Sequence, residues 1–403
     1  MEGYHPLQLA PMLDVTDRHF RMFCRGLSKK MQIWTEMVVS NTVVYSPEIE
    51  TILKTNVIEH PVILQLGGDD AQQLAAAAQR AMEIFPFDGI NLNCGCPSNK
   101  VAAKGCFGAA LMKTPTRVAA IVDTLAEVVD VAISVKTRIG VDDLDSEEFL
   151  REFIETVSAS GNVRHFQIHA RKAWLNGVNP KQNRSVPGLN YQRVLDLVTD
   201  YPHLSFTLNG GLKSVKHVKS LLEENPGLAG CMIGRAIRDD PCAFAHVDSE
   251  LYGEPHRDIT RRHVMEFYIE YLRQLHATGT VPVDMKSNFV LAKPVLGILT
   301  GLPGAKYFRR AVDSAVRDQQ IPAYQQLQRA MSDVERRFPC LWDIPVGQEP
   351  SQLNAYYRKP KAEPLTLEEI LEGNLWWVPE PNYPAPLEEA PSQVLLVDSV
   401  QPA

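Results

Sequence analysis

Short apolar runs alternate with longer helical patterns over the first part of the chain. The longer stretches, at 69–84, 115–129, 145–160 and 214–222, carry apolar residues at the three- and four-residue spacing of an amphipathic helix. In the second of them, the stripe consists of Val118, Ile121, Val122, Leu125 and Val128. No hairpin pattern separates the short runs, which predicts parallel strands. The predicted strands are 7–12, 33–37, 62–66, 89–93, 132–137, 165–169, 205–209 and 230–233.

Eight strand–helix repeats in about 230 residues predict an α/β fold of the (β/α)8 TIM-barrel type. Each apolar run ends in a polar, sulfur-bearing or glycine residue, and the carboxyl ends of the strands carry the active site in such barrels. The residues at these ends are Met12, Glu36, Gln65, Asn93, Lys136 with Arg138, His169 with Arg171, Asn209 with Gly210 and Gly211, and Gly234 with Arg235.

The pattern changes after the barrel. Helical periodicity without strand patterns at 260–276, 287–300, 305–317 and 322–337 predicts a small all-α bundle, with a break near Pro294. We therefore expect a barrel domain at 1–250, a helical domain at 251–338, and a Pro-rich, acidic, largely extended or disordered tail at 339–403. The candidate RNA-facing cations of the helical domain are Lys286, Lys293, Lys306, Arg309 and Arg310.

Composition narrows the class of protein. The 403 residues are 45% apolar, without the long apolar run of a membrane span, and no secretory signal or clear transit peptide is seen. Seven cysteines without framework spacing suggest a reducing, cytoplasmic setting. The net charge of −7 excludes a uniformly basic nucleic-acid binder, yet residues 255–337 carry 13 basic and 8 acidic residues, or +5. Such a local patch is compatible with phosphate binding, although a solvated helical surface is the simpler interpretation.

The most informative stretch is 91–100, where an apolar strand ends in Asn93, Cys94, Gly95, Cys96 and Pro97. A cysteine on such a turn is either a poised thiol or a buried structural one. Cys94, Cys96 and Cys106 lack a fourth ligand at a suitable spacing, so no metal site is expected.

Other strand ends leave several chemical roles open. Lys136 and Arg138 lie at period two on one strand, so both point the same way. Lys136 is a candidate Schiff-base nucleophile, charge partner or solvated lysine. His169 is a candidate acid, metal ligand or cofactor contact, although a lone histidine is more often simply hydrogen-bonded, and no second histidine at a ligand spacing supports a metal. Glycines at 210, 211 and 234 follow the last two strands, where barrels frequently bind phosphate.

Several motifs together resemble the tRNA-dihydrouridine synthase family, in its DusA-like branch. They cover about residues 5–330 and read Ala-Pro-Met-Leu-Asp-Val-Thr-Asp-Arg at 10–18, Gln-Leu-Gly-Gly at 65–68, Asn-Leu-Asn-Cys-Gly-Cys-Pro-Ser at 91–98, Val-Lys-Thr-Arg-Ile-Gly at 135–140, His-Ala-Arg-Lys-Ala-Trp-Leu at 169–175, Pro-Lys-Gln-Asn-Arg at 180–184 and Asn-Gly-Gly at 209–211.

The resemblance implies an FMN-dependent oxidoreductase that uses NADPH to reduce uridine in the tRNA D-loop, at position 20 or 20a. It implies Cys96 as the catalytic acid, a role open to a thiol because thiols are mostly protonated at neutral pH. Implied substrate contacts are Asn93, Arg138, Arg171 and Lys172. Implied cofactor contacts are Pro11, Met12, Gln65, Lys136, His169, Asn209, Gly210, Gly211, Gly234 and Arg235. A monomer that binds tRNA, without membrane or metal, is expected.

Three other functions fit parts of the pattern. A flavoenzyme that reduces a free pyrimidine or a small enone has the same fold. A catalytically silent RNA-binding protein explains the basic helical segment alone. A Schiff-base aldolase uses Lys136 as its nucleophile.

Overall fold

The apolar runs form eight strands, all paired in parallel. A computed structural model describes residues 5–97 and 107–346, and the strands are β1 (Leu7–Leu9), β2 (Ile33–Val39), β3 (Val62–Gly67), β4 (Gly89–Asn93), β5 (Ala132–Arg138), β6 (Val163–His169), β7 (Ser205–Asn209) and β8 (Gly230–Ile233). The prediction of a parallel barrel is therefore confirmed. The predicted 7–12 strand is shorter than expected, because the Met12 carbonyl accepts from the amides of Val15 and Thr16 and so forms a turn.

The sheet closes on itself. Its strand order runs β1-β8-β7-β6-β5-β4-β3-β2, which leaves β1 and β2 at the two ends. Gln32, just before β2, joins them: its carbonyl accepts from the Leu9 amide at 2.8 Å, and its amide donates to the Leu7 carbonyl at 3.2 Å. A closed barrel satisfies backbone groups that an open sheet leaves at its edges.

Helices on the outside connect the strands. Up to residue 251 they are α1 (Arg18–Arg25), α2 (Ser40–Tyr45), α3 (Ile49–Leu53), α4 (Ala71–Ile84), α5 (Pro115–Ala126), α6 (Glu147–Ser158), α7 (Gln192–Asp200), α8 (Val215–Glu224), α9 (Arg235–Asp239) and α10 (Val247–Leu251). Local chemistry sets their starts: the side chains of Asp70 and Ser146 accept from the Gln73 and Phe149 amides, and Pro115 occupies the first turn of α5.

The apolar stripe predicted on α5 is largely confirmed. Val118, Ile121, Val122 and Leu125 are fully buried. Val128 was assigned wrongly to the stripe, since α5 ends at Ala126 and Val128 is 37% exposed in the loop before β5.

The barrel interior contains a hydrogen-bonded polar layer beneath the mouth. The Asn91 side chain donates to Ser134 Oγ at 2.9 Å and to Gln167 Oε1 at 3.0 Å, and its Oδ1 accepts from Gln65 Nε2 at 2.8 Å. These four side chains belong to β3, β4, β5 and β6. Buried amides and hydroxyls are costly without partners, so this layer stabilises the barrel only while its members pair with each other.

A helical bundle follows the barrel. Its helices are α11 (Arg261–Ala277), α12 (Met285–Ala292), α13 (Ala305–Ala315) and α14 (Ala323–Arg337). The break expected near Pro294 is confirmed, because α12 ends at Ala292 and a 3-10 turn over Lys293–Gly297 follows. The predicted inward face of α11 is also confirmed, since these residues are buried: Val264, Phe267, Tyr268, Tyr271, Leu272 and Leu275.

The bundle packs against α1 of the barrel, and all described residues belong to one compact unit. Phe23 meets Tyr268 edge to face with ring centroids 5.6 Å apart, and His19 Nδ1 lies 2.7 Å from the Tyr271 hydroxyl oxygen. A boundary near residue 250 stays a prediction. The tail prediction for 339–403 falls outside the described residues from 347 onwards, as does Cys106.

Candidate active site

The sheet register brings the predicted site residues to two successive levels at the barrel mouth. Asn93 of β4 lies beside Lys136 of β5, while Arg138 of β5 lies beside His169 of β6, which in turn lies beside Asn209 of β7. Parallel strands in this register align their carboxyl ends, so residues far apart in the chain line one opening.

Asn93 holds the turn that carries Cys96. Its Oδ1 accepts from the Cys96 amide at 2.9 Å and from the Gly95 amide at 3.2 Å. Its Nδ2 donates to Gln65 Oε1 at 2.9 Å, and the Cys96 carbonyl accepts from the Ala109 amide. The backbone of Cys96 is thus fixed on both sides, and its side chain is partly exposed.

Gln65 is almost fully buried, and both ends of its amide are engaged by Asn91 and Asn93. The resemblance implied Gln65 as a cofactor contact and Asn93 as a substrate contact. The hydrogen bonds show a further role for both, since they link the polar layer to the Cys96 turn. Sequence reasoning missed this link.

Lys136 lies inside the mouth, where its Nζ donates to Asn209 Oδ1 at 3.2 Å. Asn209 in turn donates to the Met232 carbonyl at 2.7 Å. Burial, reinforced by the nearby Arg138 guanidinium, lowers the pKa of Lys136 to about 7. The lysine is therefore close to its titration point at neutral pH.

Arg138, at the end of β5, connects the loops after β4 and β6. Its guanidinium donates to the carbonyls of Gly95 at 3.1 Å, Asn183 at 3.0 Å and Lys172 at 3.4 Å. Burial lowers the pKa of Arg138 to about 10, which leaves it charged at neutral pH. The side chain thus places a buried positive charge beside the Cys96 turn.

His169 has a buried Nδ1 atom with no hydrogen-bond partner among the described residues. Burial lowers its pKa well below the ordinary histidine value, and Arg138, Lys136, Arg171 and Arg235 lower it further. A neutral imidazole with a buried, unpaired nitrogen is ready to bind a polar group of a ligand.

The glycines after β7 lie where a side chain would collide with neighbouring residues. Gly210 and Gly211 adopt φ values of +121° and +72°, which strongly favour glycine. A Cβ on Gly211 would lie 2.5 Å from Leu189 Cδ1, and one on Gly210 would lie 3.3 Å from His169 Cε1. Gly234, after β8, leaves room for the Met12 sulfur in the same way, at 3.1 Å.

The other predicted site residues differ from one another in burial and in hydrogen-bond partners. Pro11 is partly exposed beside the buried Met12, and Arg171 is partly buried and donates to the Pro187 carbonyl. Arg235 is exposed and donates to the Arg184 carbonyl at 2.9 Å. Lys172 forms an ion pair with Asp145 at 2.8 Å and lies 4.3 Å from the Trp174 ring centroid. Its ammonium group is therefore already paired.

Arg184 is a site residue to which sequence reasoning gave no role. It lies close enough to Cys96 for a favourable electrostatic interaction, as do Lys136 and Arg138. Its buried Nε has no hydrogen-bond partner among the described residues, and burial lowers its pKa. The available signal was the 180–184 motif, which stood out in the sequence without an assigned task.

Cys94 lies in a different environment from the partly exposed Cys96. Cys94 is fully buried, which raises the pKa of its thiol, so it is poorly placed to exchange protons with a ligand. Across residues 5–97 and 107–346, no group of three or more His, Cys, Asp or Glu side chains is arranged to hold a metal ion. Within the same residues, no helix is long and apolar enough to cross a membrane.

A parallel eight-stranded barrel whose amides, cations and partly exposed thiol meet at the carboxyl ends of its strands is a TIM-barrel enzyme in architecture. The chain belongs to the dihydrouridine synthase family, because the family model described as "Dihydrouridine synthase (Dus)" matches residues 8–335. The family resemblance of the sequence motifs is thereby confirmed.

Similar proteins agree with this membership. A tRNA-dihydrouridine(20/20a) synthase of Vibrio vulnificus (strain CMCP6) is 43% identical over 306 residues, which are 76% of this chain and 90% of that protein. Its counterpart in Escherichia coli (strain K12) is 42% identical over 302 residues, 75% of this chain and 84% of that protein. The Salmonella typhimurium (strain LT2) protein of the same name is 42% identical over 302 residues, covering 75% and 87%.

Proposed function

We propose that this protein is a tRNA-dihydrouridine synthase that reduces the C5–C6 double bond of uridine in the tRNA D-loop, at position 20 or 20a. The observation that carries the proposal is the fixed, partly exposed Cys96 turn among Lys136, Arg138 and Arg184, in a chain about 42% identical to relatives with that activity in their names.

The residues at the mouth fit FMN. Gly210 and Gly211 offer a backbone approach for its phosphate, with Asn209, Gly234 and Arg235 nearby in the register. The unpaired Nδ1 of His169 and the Nζ of Lys136 offer polar contacts for its ring system, while Met12 offers an apolar one. When bound and reduced by NADPH, FMN supplies the hydride that C6 of the uracil accepts.

Cys96 completes the reduction from this chain's side. Its Sγ–H gives a proton to C5 of the uracil, which balances the hydride gained at C6. The hydrogen bonds from the Cys96 amide to Asn93 Oδ1 and from the Ala109 amide to the Cys96 carbonyl hold the Cys96 backbone in place for that transfer. The Arg138 and Arg184 guanidinium groups stabilise negative charge that develops on the ring or remains on sulfur.

The partner of the site is tRNA. A uridine within folded RNA must leave its stack to reach a pocket of this kind, and exposed cations nearby attract the phosphates that accompany it. Lys286, Lys306, Arg309 and Arg310 of the helical bundle are exposed, and Arg235 is exposed at the mouth. We propose that the protein acts as a monomer.

The proposal is tested with the purified full chain. A yellow protein with flavin absorption, which converts uridine to dihydrouridine in unmodified tRNA with NADPH, supports it. Conversion of free uridine at an equal rate favours the small-molecule flavoenzyme, and a colourless protein that only binds RNA favours the silent binder. Borohydride trapping of a carbonyl substrate on Lys136 indicates an aldolase.

Two further measurements test the details of the proposal. Replacing NADPH with NADH tests which reductant the protein uses, and light scattering tests whether it is a monomer.

A further inference from the structure

An exposed apolar stripe runs along α12 of the helical bundle. Met285 is 51% exposed and Phe289 is 48% exposed, and Val290 lies beside Phe289. Met285 and Phe289 are four residues apart, so they lie on one face of the helix, with Lys286 next to them. Contiguous apolar surface of this kind, bordered by polar residues, is a candidate binding site.

The stripe leads to the barrel mouth. Lys293, one turn beyond Phe289, donates from its ammonium group to the carbonyl of Asp14. Leu13, which directly precedes Asp14 in the chain, is 68% exposed. Lys293 is one of the predicted RNA-facing cations, and this hydrogen bond shows that it also joins the end of α12 to the loop after β1.

Leu13 is exposed on a hydrogen-bonded turn. The Met12 carbonyl accepts from the amides of Val15 and Thr16, and the Met12 amide donates to Thr16 Oγ1 at 3.0 Å. The Asp14 amide donates to the carboxylate of Glu36. A leucine held outward in this way loses little further conformational entropy on contact with a ligand. It lies one residue from Met12, which is a candidate contact for the flavin ring.

We propose that Leu13, Met285, Phe289 and Val290 form an apolar landing surface for unpaired bases of the tRNA substrate, with Lys286 holding an adjacent phosphate. The proposal rests on the proposed function and adds the residues that bring the RNA to the mouth. Charge favours RNA as the occupant, because the helical segment has a net charge of +5 and Lys286 lies on the stripe itself.

The division of labour along the surface follows from its charges. The Asp14 and Asp17 carboxylates lie near the Leu13 end, and the Lys293 ammonium group at this end is already bonded to the Asp14 carbonyl, so that end takes a base. The Met285 end has Lys286, whose neighbour Asp284 is engaged by Ser287 as a helix cap. Aromatic rings suit stacking on bases of any sequence, and such stacking adds affinity without adding salt dependence.

The test uses the full chain with bound flavin and unmodified tRNA. Phe289→Ala is expected to raise the Kd for tRNA about tenfold, which is about 1.4 kcal/mol. It should leave the slope of log Kd against log salt unchanged, and Phe289→Tyr should restore affinity because it keeps the ring. Lys286→Ala should lower that slope by about one. Leu13→Ala should lower kcat/KM for tRNA about tenfold.

The controls are exposed apolar residues at the opposite end of the barrel. Ile52 lies before β3 and Val128 lies before β5. The variants Ile52→Ala and Val128→Ala should both bind tRNA like the unaltered protein. Flavin reduction by NADPH without tRNA should be unchanged in Phe289→Ala. If Phe289→Ala and Leu13→Ala match these controls, the landing surface is refuted while the proposed function stands. If the unaltered protein forms no dihydrouridine in tRNA, the proposed function itself fails.

A photo-crosslinking arm identifies the occupant directly. Phe289→p-benzoylphenylalanine in the full chain should crosslink to tRNA nucleotides on illumination. Crosslinks to residues 347–403 or to a second copy, with none to tRNA, would overturn the proposal and assign the surface to a protein contact.

Discussion

The two sides of the barrel mouth differ in charge. The side formed by the loops after β5 to β8 carries Lys136, Arg138, Arg171, Arg184 and Arg235. The side formed after β1 and β2 carries Asp14, Asp17 and Glu36. Both sets belong to the same ring of strand ends, so the difference lies in the residue types and not in the backbone architecture.

The electrostatic consequences are opposite. On the basic side, burial lowers the pKa values of Lys136, Arg138 and Arg184. On the acidic side, burial raises the pKa values of Asp17 and Glu36. The nearby Asp17 carboxylate raises the pKa of Glu36 further. The basic side is suited to binding anions, whereas the acidic side holds the Met12–Thr16 turn through the bond from the Asp14 amide to Glu36.

The largest expected effect comes from removing the Cys96 thiol, which lies after β4 next to the basic side. Cys96→Ala should bind flavin normally but lose dihydrouridine formation by about 10²- to 10⁴-fold, the usual contribution of a positioned acid. Mass spectrometry of digested tRNA measures the product, and flavin absorption measures cofactor content. Cys94→Ala is the matched control and should remain active. Normal activity in Cys96→Ala would reassign the proton donor.

A smaller effect is expected from reducing the charge of the basic side. Arg184→Ala should weaken tRNA binding about tenfold and lower the salt slope by about one, because one cation fewer is available to the RNA. Arg164→Ala, an exposed arginine at the amino end of β6, is the control and should bind as before. Equal affinities for both variants would show that Arg184 acts only within the protein.

The next effect separates the two sides by pH. The folded pKa of Lys136 is lowered to about 7 from 10.5, so its burial destabilises the fold fully below pH 7 and progressively less as the pH rises towards 10.5. Lys136→Met should therefore raise the Tm of the flavin-free protein by about 2–4 °C at pH 6 and by less at pH 9. Calorimetry at both pH values measures this. A gain that grows with pH would contradict the assignment.

The smallest effect is expected on the acidic side, with the reverse pH dependence. The folded pKa of Glu36 is raised above 4.5, so its charge destabilises the fold at neutral pH and the penalty disappears as the pH falls. Glu36→Gln should raise Tm by about 1–2 °C at pH 7 and not at pH 4, while its amide oxygen still accepts from Asp14. A Tm gain at pH 4 as large as at pH 7 would indicate a packing effect.

Much of the fold was predictable from local pattern. Strands buried on both faces read as apolar runs, and helix starts such as Asp70 and Pro115 have local causes. The errors were also local: the strand predicted to reach Met12 ends at Leu9, and Val128 lies beyond the end of α5. In both cases a turn begins within an apolar stretch, which periodicity does not detect.

The candidate site was predictable in its residue types but less so in its contacts. Strand-end position indicated Lys136, Arg138, His169 and Asn209, and the register brings them together. The hydrogen bonds of Asn93 to the Cys96 turn depend on side-chain rotamers, which one sequence does not specify. Lys172 illustrates the same limit, since its partner Asp145 lies on a different loop.

The polar layer inside the barrel has a consequence for how the enzyme can change. Asn91, Gln65, Ser134 and Gln167 satisfy one another across four strands, so altering one of them leaves buried groups on its neighbours without partners. A new substrate preference is thus easier to reach through the loop at 173–190, which lies outside this layer and is anchored by separate hydrogen bonds, among them those from Arg138 to the Asn183 carbonyl and from the Leu175 amide to Asp142. Change is therefore constrained in the polar layer and at Arg184 beside Cys96, and is freer at the exposed positions of the loop.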